Sequence, residues 1–174
     1  MDTKTRMVYI DEPREKHIKT MGKDLGVFDN FPINTFMNIP PPENESDTTE
    51  DEIEHIEEIP VDDKFVETTD DMHKHFELFL KSKNLEYPKD VLEEILSGIR
   101  AIILKLKYHY NRPRPQQVAS AKDLVLNPTT LDTTSTPAYP SGHATQGRFV
   151  ARYLADIYPD YHDELIRVGN EVGD

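Results

Sequence analysis

The longest periodic stretch of this chain fixes most of what it can fold into. From Pro88 to Tyr110, apolar residues recur at Leu92, Ile95, Leu96, Ile99, Ile102, Ile103, Leu106 and Tyr110. This is the i, i+3, i+4, i+7 pattern of an amphipathic helix sustained for about five turns, so one face must be buried against other elements. Pro88 suits the start of a helix, where a missing N–H leaves no bond unmade. Asn111, Pro113 and Pro115 mark its end. Two further segments repeat the period. Asp70 to Lys83 carries Met72, Phe76, Phe79 and Leu80 on one side, and His143 to about Tyr158 turns Phe149, Val150, Tyr153, Leu154 and Ile157 inward. Ser46-Asp47-Thr48-Thr49 before Glu50, Asp51 and Glu52 predicts another helix start, with a capping hydroxyl and acids in the first turn. Its stripe of Ile53, Ile56 and Ile59 is weak, and Pro60 ends it. Pro159 separates a last helix running from Tyr161 to Val168 or beyond. No strand pattern exceeds a few residues and no repeat is present. The expected class is all-α, a helical bundle with long loops.

What lies between these helices is less regular. Residues 1–42 show no sustained period and carry Pro13, Pro32 and the run Pro40-Pro41-Pro42. They read as an irregular, Pro-rich N-terminal arm whose aromatics, Phe28, Phe31 and Phe36, dock on a core. Residues 43–174 form the helical domain. Within it, 116–140 reads as a loop with one apolar patch, Leu124-Val125-Leu126, and a Thr/Pro-rich tail.

Charge is distributed unevenly. Of the net −13, the segment from Glu43 to Asp71 accounts for all, with fourteen acidic residues against one basic, Lys64. From Arg100 to Arg152 the balance reverses, with eight basic residues against two acidic, or +6. An acidic chain makes a poor general nucleic-acid binder, because phosphates call for a surplus of Lys and Arg. With no cysteine there is no disulfide framework, thiolate metal site or cysteine nucleophile. The longest apolar runs fall far short of the roughly 20 residues of a membrane helix. No secretory signal is legible at the N-terminus, which fits a cytoplasmic protein. The acidic segment reads as a solvated, partly disordered stretch, and no EF-hand pattern appears in it. His73 and His75, two apart on a helix, point to different faces and make a poor metal pair.

Two clusters in the cationic half carry chemistry. One is Lys105-Leu-Lys107-Tyr-His109-Tyr-Asn-Arg112-Pro113-Arg114-Pro115, at the end of the long helix. The other is Tyr139-Pro140-Ser141-Gly142-His143, at the start of the next strong one. Each has a bland reading. Basic residues at a helix C-terminus favour the macrodipole without any ligand, and Pro-Ser-Gly before a helix is ordinary capping chemistry. Together they suit a phosphate. A helix start at Ser141–His143 offers unpaired N–H groups, the basic cluster supplies cations to clamp the same anion, and His143 stands by as a proton donor.

The pairing of Lys-x6-Arg-Pro with Pro-Ser-Gly-His resembles the signature of the type 2 phosphatidic acid phosphatase superfamily, which includes the soluble bacterial class A acid phosphatases and the vanadium haloperoxidases. The first motif fits in two registers, Lys105 with Arg112-Pro113 or Lys107 with Arg114-Pro115. The second is favoured. In the soluble phosphatases the motif reads Lys-x-His-Tyr-x-Arg-x-Arg-Pro, and Lys107 to Pro115 falls on it. At about 100° per residue, Lys107 also lies roughly 80° from the centre of the apolar face and Lys105 roughly 120°. Arg112 and Lys105 remain as support. The resemblance implies an acid phosphatase-type helical bundle that hydrolyses phosphate monoesters through a phosphohistidine intermediate. Lys107, Arg114, Ser141 and Gly142 would bind the phosphoryl oxygens, and His143 would protonate the leaving group. It implies no metal cofactor for hydrolysis, a small phosphorylated substrate, and an anion site that vanadate or phosphate can occupy; homo-oligomer formation is left open.

The chain departs from the family in one respect. The attacking histidine belongs to a third motif, Ser-Arg-x5-His-x3-Asp, which is absent. The stretch from Ile166 to Asp174 looks like the helix leading into it, so the chain is expected to be truncated and, as it stands, inactive. His162 lacks the flanking residues and reads as a surface position. The alternative is a non-catalytic anion-binding or structural remnant of the fold. A vanadium-dependent haloperoxidase is less favoured, since those chains are much longer.

Overall fold

A computed structural model describes residues 7–59, 71–124, 126 and 134–173. Pro60 and the acidic residues 62–70 lie outside them, as does most of the Thr/Pro-rich tail. The described residues form helices α1 (Glu15–Met21), α2 (Ile33–Phe36), α3 (Asp47–Glu58), α4 (Met72–Ser82), α5 (Lys89–Tyr110), α6 (Pro115–Ala121), α7 (Gly142–Ile157) and α8 (His162–Glu171), with 3-10 turns at Gly26–Phe28 and Pro159–Tyr161. No strand occurs among them, so the all-α class holds. None of their helices is long and apolar enough to cross a membrane.

α5 is the axis of the molecule. Twenty-two residues make a rod of about 33 Å. It ends where Asn111 takes the left-handed conformation, φ 51°, and its N–H bonds back to Lys107 O, a closure that Asn tolerates better than most residues. The main core gathers Leu92, Leu96, Ile99 and Ile103 from α5, Met72, Phe76 and Leu80 from α4, Val150, Ala151 and Leu154 from α7, and Leu165 and Val168 from α8. Each fully buried Leu or Phe contributes about 1.5–3 kcal/mol by leaving water.

α7 and α8 form the closest helix pair. A Cβ on Gly147 would lie 2.9 Å from Gly169 O, and one on Gly169 would collide with Ala151 Cβ. Glycine at both positions lets the two backbones touch. This pairing fixes the axis of α7, and so the place of its N-terminus.

Three expectations need correction. Ile157 is exposed, although Leu154 and Ala155 in the same turn are buried in the core, so it lies off the buried face of α7. Residues 115–121 are helical, with Pro115 in the first turn; the prolines that end α5 also start α6. The N-terminal arm is not irregular throughout, since α1 packs along α5 through buried His17, whose Nδ1 lies 2.8 Å from Tyr108 Oη. The docking of its aromatics is partial. Phe28 meets Phe149 edge-on at 6.0 Å and joins the core, while Phe31 and Phe36 stack on each other at 4.9 Å.

The acidic α3 also docks. Ser46 caps it, its Oγ accepting from Thr49 N at 3.3 Å. Ile53 packs with Val118 and Ala119 of α6 in a second small core, and Glu50 and Glu52 pair with Lys122 and Arg112.

Candidate functional site

α5 ends, and α7 begins, on the wall of one cavity of about 530 Å³. Lys107, Arg114, Ser141, Gly142 and His143 all line it, together with Arg100, Thr136, Gln146 and His73. Lys105 and Arg112 do not. Lys105 is half-buried elsewhere, and Arg112 turns away to Glu52 at 3.2 Å and Thr49 Oγ1 at 3.3 Å. Of the two registers, only Lys107 with Arg114 brings its cations together here.

The reason lies in the segment 136–138. Ala138 N donates to Arg112 O at 2.9 Å, which lays this segment beside the turn that follows α5. Lys107 Nζ then donates to Pro137 O at 2.6 Å and Ala138 O at 3.4 Å. Arg114 Nε donates to Thr136 O at 2.6 Å, and its Nη2 reaches Thr136 Oγ1 at 3.1 Å. An ammonium has three N–H donors and a guanidinium five. Each cation thus uses two donors on oxygens of the 136–138 segment and has donors beyond those two.

Burial governs their charge. Lys107 is only 5% exposed. Desolvation, and secondarily the Arg114 charge, bring its ammonium down to about 7. Burial also pulls the Arg114 guanidinium below the usual arginine value.

Ser141 is the N-cap of α7, and its Oγ accepts from Ala144 N at 3.2 Å. Gly142 and His143, in the first turn, line the cavity at the positive end of the helix dipole. Gly142 is not there for want of space in the fold. A Cβ on it would meet Gln146 Nε2 at 3.6 Å and Ile103 Cγ2 at 4.0 Å, which are ordinary contacts.

The cavity lining also includes residues that the sequence motifs did not single out. Gln146 Nε2 donates to Gly142 O at 3.2 Å, and Gln146 Oε1 accepts from Arg100 Nε at 3.2 Å. Arg100 Nη1 donates to Glu93 Oε2 at 3.0 Å. Burial pushes the Glu93 carboxyl up, but the Arg100 hydrogen bond and charge outweigh it and hold the group below its ordinary value. His73 Nδ1 lies 2.7 Å from Tyr87 Oη. Burial keeps that phenol protonated well past its usual range. A donating Tyr87 puts the ring proton on Nε2, which faces Glu93 Oε1 at 3.0 Å without hydrogen-bond alignment. Arg100 had one readable signal, its place seven residues before Lys107 on the same helix face. His73 had none, since only the packing of α4 brings it here.

Among the described residues, no group of three His, Asp or Glu is placed to hold a metal ion. No family model, curated protein or solved structure matches the chain.

Proposed function

We propose that this chain forms the phosphate-binding side of a phosphomonoester hydrolase site of the acid phosphatase type. One observation carries the reading. Lys107 from the last turn of α5, Arg114 from the turn that follows it, and the N-terminus of α7 with His143, about thirty residues further along the chain, line a single cavity. In this reading Lys107, Arg114 and the N–H groups at Gly142 hold the phosphoryl oxygens and tighten as charge develops on them. His143 gives a proton to the leaving oxygen. The histidine that attacks phosphorus belongs to a Ser-Arg-x5-His-x3-Asp motif that the 174 residues do not contain.

The test is calorimetry with inorganic phosphate, backed by a turnover assay. The 174-residue chain is expected to bind phosphate, to lose at least tenfold in affinity as Lys107→Ala or Arg114→Ala, and to leave p-nitrophenyl phosphate unhydrolysed. Absence of binding at millimolar phosphate overturns the anion site; robust turnover overturns the missing-nucleophile argument.

A second reading has its own support. Lys107 and Arg114 already donate to carbonyls of 136–138, so they also serve as structural ties, as a non-catalytic remnant of the fold would require. In that case Lys107→Ala lowers the melting temperature, and phosphate does not raise it in the unsubstituted chain.

A further inference from the structure

The cavity is much larger than one phosphate needs. At about 530 Å³ it falls within the roughly 300–1,000 Å³ of small-molecule sites. α5 supplies a wall with a definite order. Arg100, Ile103, Leu104 and Lys107 all line it. Seven residues make almost two full turns, so Arg100 and Lys107 stand on one face about 10.5 Å apart along the axis, with Ile103 and Leu104 one turn from each. The order along α5 is cation, apolar, cation, and Met72 adds a further apolar side chain to the lining.

Arg100 is fixed at two of its three nitrogens, Nε by Gln146 and Nη1 by Glu93, while Nη2 has no partner among the described residues. Through Gln146 it is tied to Gly142 O, hence to the same first turn of α7 that borders the Lys107 end. Asp71, the carboxylate on this wall, turns Oδ1 to Lys74 N at 3.3 Å. Glu93 offsets the Arg100 charge but uses only one edge of the guanidinium. A planar fork held in place with donors to spare suits a second carboxylate or phosphate.

We propose that Arg100 is a second anion station and a specificity residue of this cavity. The ligand class is a phosphate monoester whose ester group bears a further anionic group across a small apolar body. This rests on the phosphate reading of the Lys107–Arg114 end.

The experiment compares phenyl phosphate with 4-carboxyphenyl phosphate, which share phosphate and ring and differ in the carboxylate. Calorimetry on the 174-residue chain is expected to show about tenfold tighter binding of the carboxylated ester. Arg100→Gln is expected to bring the affinity ratio to about one, and Arg100→Lys to keep part of it. A ratio is insensitive to a partly unfolded sample, so a destabilised variant still reports. Equal binding of both esters by the unsubstituted chain, or a ratio unmoved by Arg100→Gln, overturns the second station and leaves the phosphate reading standing. Failure of both esters and of inorganic phosphate to bind overturns the two together.

Discussion

Lys107 is a cation with almost all of its surface withdrawn from water. Its ordinary value near 10.5 falls to about 7 because the charged form loses hydration. Two pH effects follow. Between about 7 and 10.5 the unfolded chain carries a proton on this residue that the folded chain does not, so stability rises with pH across that window, and below 7 the buried charge weighs on the fold. Anion binding runs the other way, since it needs the ammonium. Sulfate is the clean probe, because its charge is constant where phosphate esters themselves titrate near pH 6. Sulfate affinity is expected to fall by about tenfold per pH unit above 7, and calorimetry from pH 6 to 8.5 checks it. A flat profile would show that Lys107 stays charged or takes no part. The preference for Lys107 over Lys105 rests on the motif resemblance and on the angle from the apolar face, and Lys107 is the one that lines the cavity. The ties from Lys107 and Arg114 to the 136–138 carbonyls were not legible in the sequence, since they depend on how a segment some thirty residues away returns to α5.

At the level of elements, the site depends on where α7 starts, and that depends on two glycines in its contact with α8. Gly169→Ala gains up to about 1 kcal/mol in helix propensity. It also forces a methyl against Ala151 and to within 2.8 Å of Gly147 O, an overpacking that costs about 1–3 kcal/mol. The net effect is expected to be a destabilisation of up to about 2 kcal/mol, read as a lower urea midpoint at unchanged slope. Gly142→Ala, which meets only ordinary contacts, is expected to shift stability by less than about 0.5 kcal/mol. If Gly169→Ala stabilises the chain, the backbones are not as close as described. The helices with three or more turns of apolar period (α4, α5 and α7) were legible from the sequence, as was the Ser46 cap of α3. α1 and α6 were not. At seven residues each they are too short to show a period or to stand alone, and they exist because α5 and α3 cover them.

Across the whole molecule, the acidic and basic halves meet. Glu50–Lys122 and Glu52–Arg112 join α3 to the cationic stretch, so part of the acidic surplus is spent within the chain. Charge is still the weaker bond here. The carboxylates of both pairs are about half exposed, where each pair is worth about 0–1 kcal/mol. Ile53 is 3% exposed, and Ile→Ala in a core costs about 2–5 kcal/mol. Ile53→Ala is therefore expected to destabilise the chain at least twice as much as Glu52→Gln in urea unfolding; the reverse order would mean that α3 is held electrostatically. The arm reaches just as far. Tyr9 N donates to Asn111 O at 3.0 Å. The hydroxyl of Tyr110 bonds Phe36 O, and that of Tyr139 donates to Ile39 O at 3.2 Å. These bonds span 74 to 102 residues of chain. At roughly 5–20 residues per second of synthesis, the arm leaves the ribosome about 4–20 s before its seat exists. For that interval the arm lacks the partners at Tyr110, Asn111 and Tyr139 that hold it in the folded chain.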